Sequence, residues 1–290
     1  MARRLAVLLV LLALAAAAAG CGGEELAGLE RDARERAERI RERAEAVRAD
    51  IERLADRIRE QLERIQRSVP SASRPQPRSA GRIQAGRTEA FLTEVLRNVD
   101  AFWTRTLEES GLPTPQVRYL WLDPGARAAS ACGAVADDNA AFYCPSDDTI
   151  YVAEVFAERV WTGTADTFPG QRAGYGRAVG DFGLAYVVAH EYAHNLQQEL
   201  GYFSRRSPAA SAAPLELQAD CLAGVWGNSV YRAGQLEEGD VEEALSTALA
   251  VGDFEFESQG HHGTPEQRRD AWSLGFRDGQ PSDCSRYVPA

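Results

Sequence analysis

The hydrophobic pattern separates an elongated N-terminal part of the chain from a globular remainder. Within residues 22–67, apolar side chains recur at spacings that alternate mostly between three and four, among many Glu and Arg residues. This heptad-like seam predicts a charged coiled-coil helix, with a single helix or one folded back on the next domain as alternatives. A coiled coil would make residues 26–65 a possible site of homo-oligomer formation. Residues 68–87, rich in Pro, Ser, Gly and Arg, predict a flexible linker.

Residues 88–290 show a mixed pattern, with strands early and helices late. Alternation and aromatic content predict strands at residues 117–122, 141–144 and 149–152, the last two joined as a hairpin by residues 145–148. Helical periodicity predicts helices at residues 88–110, 154–161, 181–200, 215–233, 241–251 and 264–274, with loops at 168–175 and 202–213. This order is typical of an α+β fold with a small sheet.

The first 21 residues have the pattern of a secretory signal peptide. Arg3 and Arg4 precede an apolar run at residues 5–14, and small residues follow it. The run is short for a membrane span. Ala-Ala-Gly before Cys21 resembles the lipobox of bacterial lipoproteins. We therefore expect a protein of the cell envelope, anchored to the membrane by a lipid on Cys21; the alternative is ordinary cleavage and secretion.

Charge and cysteine content narrow the picture further. The formal net charge is -11, and the acidic excess lies in residues 88–290, which argues against a nucleic-acid partner. Five cysteines are present, and one of them, Cys21, belongs to the leader. In an oxidising compartment the other four predict two disulfides. Of the three possible pairings, Cys132–Cys144 with Cys221–Cys284 is favoured, because the first pair encloses a short loop.

Candidate chemistry begins with His190-Glu191-Tyr192-Ala193-His194 inside a predicted helix. Residues four apart lie on one helix face, so His190 and His194 can bind one metal ion. Glu191 would then hold a water molecule that zinc activates, and would take its proton as general base. The alternative is a pair of buried core histidines without a metal, which the helical context of the motif disfavours.

A third protein ligand is expected on the next helix. The continuation HExxHxxGxxH is absent, because no further histidine follows within the same helix. Glu216 and Asp220 instead share one face of the following helix at a spacing of four. In the gluzincin arrangement such a glutamate is the third zinc ligand, and the aspartate accepts a hydrogen bond from a ligand histidine. We expect these roles for Glu216 and Asp220.

The remaining two histidines are adjacent, His261 and His262, within a Gly-His-His-Gly-Thr segment. A histidine that donates a hydrogen bond to a developing oxyanion would suit a peptidase mechanism. A surface turn or a helix cap is the alternative reading of the same pair.

The ordered set of motifs resembles the bacterial "putative neutral zinc metallopeptidase" family over roughly residues 88–278. The matching segments are Ala131-Cys132-Gly133, Phe142-Tyr143-Cys144-Pro145 with Asp147 and Ile150-Tyr151, Gly180-Asp181-Phe182, Ala185-Tyr186-Val187-Val188-Ala189-His190-Glu191, Glu216-Leu217-Gln218-Ala219-Asp220-Cys221, Ala223-Gly224-Val225-Trp226, and His262-Gly263-Thr264 with Gln267-Arg268 and Trp272. The resemblance implies a zincin-like domain with peptidase activity and favours His262 over His261 at the site.

Two functions of different classes follow. The first is a zinc endopeptidase that cleaves extracytoplasmic proteins or peptides, with the substrate extended along a sheet edge such as residues 149–152. The second is a non-catalytic, membrane-anchored scaffold that displays a metal-stabilised binding domain. Glu191 argues against the scaffold, because a structural zinc site has four protein ligands and no need of an adjacent base.

Overall fold

A computed structural model describes residues 38, 39, 42, 87–205, 207 and 210–288. The predicted signal peptide, the lipobox cysteine, and nearly all of the predicted coiled coil and linker lie outside the described residues. The chain divides into two units, Met1–Val47 and Arg48–Ala290, and the description below concerns the second. Among the described helices, none combines the length and apolar character that a membrane crossing requires.

The order of elements follows the predicted pattern closely, with strands before the major helices. The elements are α1 (Arg87–Glu109), β1 (Arg118–Leu122), β2 (Ala128–Ala129), β3 (Val135–Ala136), β4 (Ala141–Cys144), β5 (Thr149–Ala153), α2 (Glu154–Trp161), α3 (Pro169–Arg172), α4 (Asp181–Glu199), α5 (Tyr202–Arg205), α6 (Ala213–Arg232), α7 (Asp240–Val251), α8 (Pro265–Asp278) and a final 3₁₀ helix (Pro281–Arg286). The short helices α3 and α5 lie in segments predicted as loops, and the β2–β3 ladder and the 3₁₀ helix were not predicted. The result is a helix-rich α+β domain with a small sheet.

The main sheet has three strands in the order β1-β5-β4. β5 pairs in parallel with β1 on one side and antiparallel with β4 on the other. The prediction that residues 149–152 offer a free sheet edge was therefore wrong, since that strand is central and wholly buried. The β4–β5 hairpin could be predicted from a short stretch of sequence. The parallel partner of β5, β1, could not, because a long connection separates the two strands in the chain. The two edges of the sheet are formed by β1 and β4.

Helix α4 lies at the centre of the core. Its residues 182–197 are all buried, so the helix has no solvent-facing side until its last turn. A helix that is apolar around most of its circumference is stable only when other elements surround it. Here α1, α6, α7 and the sheet do so, with Leu92, Trp103, Ile150 and Leu245 among the fully buried side chains. Burial of each such side chain contributes on the order of 1.5–3 kcal/mol.

Helices α6 and α8 approach each other so closely that their backbones touch. A Cβ atom at Gly224 would lie 2.1 Å from the carbonyl oxygen of Trp272, and one at Gly275 would lie 1.9 Å from that of Cys221. No side chain fits at either position without separation of the helices. The two glycines therefore fix the spacing between the helix that carries Glu216 and the helix that follows the two adjacent histidines.

Both predicted disulfides are present in the structure. Cys132–Cys144 joins the loop before β3 to the end of β4, and Cys221–Cys284 joins α6 to the 3₁₀ helix. The second pair is 63 residues apart in sequence, and closure of such a loop in the unfolded chain corresponds to about 4 kcal/mol in the chain-entropy description. Of the two disulfides, Cys221–Cys284, which anchors α6, is therefore expected to stabilise the fold more.

Candidate metal centre

The structure brings the three predicted metal ligands together. His190 and His194 lie one turn apart on α4, and Glu216 lies in the first turn of α6. Their ligand atoms are all within 4.8 Å of one another. The Glu216 carboxylate spans the two imidazoles, with Oε2 at 3.2 Å from His190 Nε2 and Oε1 at 3.4 Å from His194 Nε2.

These separations fit a zinc ion as well as they fit hydrogen bonds. Two donors on one tetrahedral zinc, each about 2.0–2.1 Å from the metal, are about 3.3 Å apart. A donor set of two imidazoles and one carboxylate is also the set that catalytic zinc sites use, with the fourth position left for water or substrate. The residues present therefore fit the metal that the sequence predicts.

Asp220 holds the other side of the His190 ring. His190 Nδ1 lies 2.9 Å from Asp220 Oδ1, and the aspartate is fully buried. An Nδ1–H that donates to this carboxylate leaves the Nε2 lone pair for a metal ion. This contact is the one that the positioning role predicted for Asp220 requires, and the role itself stays a prediction.

Two buried side chains to which the sequence assigned no role complete the Asp220 environment. Arg268, from α8, donates from Nε to Asp220 Oδ2 at 2.7 Å and from Nη2 to Oδ1 at 2.8 Å. The Tyr186 hydroxyl donates to Oδ1 at 2.6 Å. Burial alone would raise the pKa of Asp220, but the Arg268 guanidinium outweighs it and holds that pKa below its usual value. Asp220 is therefore ionised and can polarise His190.

Gln197 plays the corresponding part for His194. The Gln197 Oε1 atom lies 2.8 Å from His194 Nδ1, three residues away on the same helix. The amide nitrogen of Gln197 donates to the Leu215 carbonyl at 2.7 Å and to Gln218 Oε1 at 3.1 Å, which fixes which end of the amide faces the histidine. Both ligand histidines thus present Nε2 to Glu216. The i,i+3 spacing was the only signal for Gln197 in the sequence.

The pKa values of His190 and Glu216 are shifted in opposite directions by the groups around them. Burial and Arg268 lower the pKa of His190, but Asp220 and Glu216 outweigh them and raise it to about 9. Burial would raise the pKa of Glu216, yet the two imidazoles hold it well below its usual range. A metal ion binds the neutral imidazole, so metal binding competes with protonation of His190.

Glu191 lies on the wall of a cavity of about 350 Å³ that also reaches all three candidate ligands. The side chain is buried, and within the described part of the chain no group donates a hydrogen bond to its carboxylate. Aromatic side chains also line this cavity: Phe142, Tyr143, Phe156 and Phe168. The lining of the cavity therefore combines the Glu191 carboxylate, which has no hydrogen-bond donor among the described residues, with an apolar surface.

The two adjacent histidines are separated by the fold. His261 is buried and its Nδ1 contacts Asp253 Oδ1. His262 is half exposed and lines the cavity. Asp253 Oδ2 lies 3.0 Å from His262 Nδ1 and accepts from the His262 backbone N–H at 2.9 Å. The structure thus brings His262, not His261, to the cavity, and Asp253 is a residue for which the sequence carried no signal.

A second group of ligand-type side chains lies at the first turn of α4. Asp181, Asp240 and Glu243 also have ligand atoms within 4.8 Å of one another. Burial, together with repulsion from Asp181, raises the pKa of Asp240 to about 6 and that of Glu243 to about 7. Glu243 Oε2 accepts from the Phe182 backbone N–H at 3.1 Å. In the described part of the chain no cationic side chain pairs with these three carboxylates.

A small sheet packed on a buried helix with two candidate ligand histidines, and a glutamate on the next helix, is compatible with the zincin-like class of α+β metalloproteins. The model of the family described as "Putative neutral zinc metallopeptidase" matches residues 56–287, and the chain belongs to this family. The match begins upstream of the predicted globular domain, within the predicted coiled coil.

Curated relatives agree with this assignment. The uncharacterized protein YpfJ of Escherichia coli strain K12 is 33% identical over 233 residues, which is 73% of this chain and 76% of YpfJ. The uncharacterized protein Rv2575 of Mycobacterium tuberculosis strain H37Rv is 30% identical over 217 residues, which is 67% of this chain and 68% of the relative. No solved structure matches the chain.

Proposed function

We propose that this protein is a zinc-dependent peptidase that hydrolyses peptide bonds of extracytoplasmic proteins or peptides. The observation that carries the proposal is the place of Glu191, on the wall of a cavity that also reaches His190, His194 and Glu216. A structural zinc site needs a fourth protein ligand rather than a carboxylate beside an accessible cavity. The family assignment supports the same activity.

Each side chain at the centre has a task that its contacts support. Zinc held by His190, His194 and Glu216 would supply Lewis acidity, which lowers the pKa of water and polarises a carbonyl. Glu191 takes a proton from the attacking water and returns it to the leaving amine. Asp220, itself held by Arg268, keeps the His190 ring in the tautomer that leaves Nε2 for the metal.

His262 is the candidate donor to the oxyanion. Its Nδ1 is held by Asp253 at 3.0 Å, so Nε2 is the nitrogen available to a substrate in the cavity. A donor held in place before reaction costs little reorganisation when negative charge develops on the carbonyl oxygen. Asp253 thereby becomes a positioning residue for His262.

A polypeptide would lie extended along β4. Ala141, Phe142 and Tyr143 of this edge strand line the cavity, and β5 occupies only one side of β4. Addition of a strand to the other side would satisfy main-chain hydrogen bonds whatever the substrate sequence. The leader pattern and the two disulfides support an extracytoplasmic location for this reaction, with attachment to the membrane through Cys21.

The test compares the wild type with Glu191→Gln on a denatured protein and a peptide library, with zinc content measured in both. We expect Glu191→Gln to retain zinc and to lose about 10³-fold or more in cleavage rate, because proton transfer is removed. Glu199→Gln, an exposed glutamate on the same helix, is the matched control and should cleave like the wild type. If wild type and Glu191→Gln both bind zinc and neither cleaves, the protein is a scaffold.

A further inference from the structure

A group of aromatic side chains, here called the aromatic rim, lies outside the cavity wall. It consists of the exposed Phe254 and Phe256 and of the buried Tyr175, which packs against Phe254. Ring centroids are 5.5 Å apart for Tyr175 and Phe254, and 6.3 Å apart for Phe254 and Phe256. Phe254 is 40% exposed and Phe256 is 62% exposed. Large apolar side chains that group together at the surface mark a site of interaction more often than isolated ones do.

The rim is joined along the chain to residues that line the proposed substrate cavity. Val251 and His262 both line the cavity, and the segment between them carries Phe254 and Phe256. Phe256 also packs on His261 at 5.1 Å. On the other side, the cavity residue Pro169 begins α3, and the Tyr175 N–H donates to the Gly170 carbonyl at 2.8 Å. Two separate segments thus lead from the cavity wall to the rim.

The segment that carries the phenylalanines is anchored rather than loosely packed. The Asp253 N–H donates to the Gly263 carbonyl at 2.9 Å, and the Asp253 carboxylate accepts from the Glu255 N–H at 2.8 Å. Further along, the Gln259 carbonyl accepts from the Ala212 N–H at 2.9 Å, at the start of α6. The backbone therefore holds Phe254 and Phe256 at the surface, next to the residue that positions His262.

The charge around the rim indicates which kind of molecule the rim binds, an anionic lipid surface or a polypeptide with basic residues. Glu255 and Glu257 alternate with the two phenylalanines and are exposed. Within the described residues neither carboxylate forms an ion pair. Carboxylates at this position repel an anionic lipid surface, which attracts basic segments instead. They favour a partner that combines apolar side chains with neighbouring Lys or Arg.

We propose that the aromatic rim is a substrate-docking subsite that binds apolar side chains of an extended polypeptide next to basic residues. The inference rests on the proposed function, because it extends the same cleft. It assigns selectivity to Phe254 and Phe256, outside the candidate catalytic groups. The protein would then select unfolded, apolar and basic segments.

The experiment measures peptide binding in the zinc-loaded Glu191→Gln protein, so that binding is read without cleavage. The probe is a fluorescent peptide with alternating Leu and Arg, compared with peptides in which Ser replaces Leu or Glu replaces Arg. The double variant Phe254→Ser/Phe256→Ser should weaken binding of the Leu-Arg peptide about tenfold or more, as loss of aromatic anchors does. Leu112→Ser, at a side chain 44% exposed elsewhere, is the control and should bind like the parent.

The outcomes separate the two proposals. Unchanged binding of the Leu-Arg peptide by the double variant overturns the subsite, even if the wild type cleaves peptides. Loss of binding that depends on the phenylalanines supports the subsite, even if the wild type cleaves nothing. Binding to phosphatidylglycerol vesicles that depends on the phenylalanines, without peptide binding, overturns it in favour of a lipid surface. Circular dichroism of each variant shows that the fold is intact.

Discussion

Two groups of three ligand-type side chains lie along helix α4, one at its first turn and one near its middle, and each is completed by residues of another helix. The two groups differ in what surrounds them. In both groups, Asp181 with Asp240 and Glu243, and His190 with His194 and Glu216, the ligand atoms lie within 4.8 Å of one another. The group of His190, His194 and Glu216 includes two imidazoles, whose rings are held by Asp220 and Gln197, and Arg268 in turn holds Asp220. The group at the first turn has only carboxylates, and its hydrogen bonds come from backbone N–H groups.

The titration behaviour of the two groups diverges for this reason. The pKa of Glu216 is held well below its usual range, whereas the pKa of Glu243 is raised to about 7, although burial opposes ionisation of both. Neighbouring positive charge decides the sign. Proximity of three oxygen or nitrogen donors is thus a weak criterion for a metal site. Donors of mixed chemistry, oriented by outer partners, are a stronger one.

Removal of one carboxylate from each group should give the largest contrast. We expect Glu216→Ala to lose zinc affinity by more than the roughly 10–100-fold that loss of an outer-shell partner produces. Glu243→Ala should retain one zinc per chain. Elemental analysis after equilibrium dialysis against a competing chelator measures both. Equal zinc loss in the two variants would show that the acidic group also binds the metal.

Replacing one aspartate near each group with asparagine removes a negative charge at nearly constant shape. This tests whether the two groups also differ in their effect on the stability of the fold. Asp220→Asn leaves Arg268 buried without its main counter-charge, which costs about 3–5 kcal/mol in free energy of unfolding. Asp240→Asn removes a carboxylate whose charged neighbours are all carboxylates, and keeps an oxygen that can accept from the Glu237 N–H, so it should leave stability unchanged or raise it. Denaturant unfolding with a chelator present excludes any contribution from zinc. A destabilised Asp240→Asn protein would mean that the acidic group is compensated after all.

The smallest expected effect is a pH dependence of stability. Asp240 and Glu243 ionise near pH 4 in the unfolded chain but at about 6 and 7 in the folded one. The folded state therefore holds these protons more tightly, and stability declines as pH rises from about 4 to 7. Glu243→Gln should reduce this decline, measured as the melting temperature between pH 5 and pH 8. If the melting temperature of Glu243→Gln declined with pH as steeply as that of the wild type, the prediction would be wrong.

Local spacing predicted the parts of the site that lie within one helix. His190 with His194, and Glu216 with Asp220, are pairs four residues apart, and each pair shares a face as expected. Arg268 could not be assigned a role in the same way, because its contact with Asp220 depends on how α6 and α8 cross. The sequence matched Arg268 to the family pattern but gave no reason for it.

The same limit applies to the sheet. The β4–β5 hairpin was predicted from a four-residue turn, but the parallel pairing of β1 with β5 joins segments far apart in sequence. That pairing decides which strand is central and which forms the edge. The secondary structure of residues 149–152 was therefore predicted correctly, but the position of this strand within the sheet was not. As a result, the expected substrate-binding edge was placed on β5 instead of its neighbour β4.

The glycine contact between α6 and α8 makes the candidate metal centre sensitive to substitutions that do not touch it. Gly275 lies seven residues beyond Arg268 on α8, about 10 Å along the helix axis. A methyl group there would force α8 away from Cys221, the residue that follows Asp220. Arg268 would then withdraw from Asp220 while every polar residue of the centre stayed in place. A loss-of-function variant at Gly224 or Gly275 would thus imitate a defect in zinc binding, although its origin is steric.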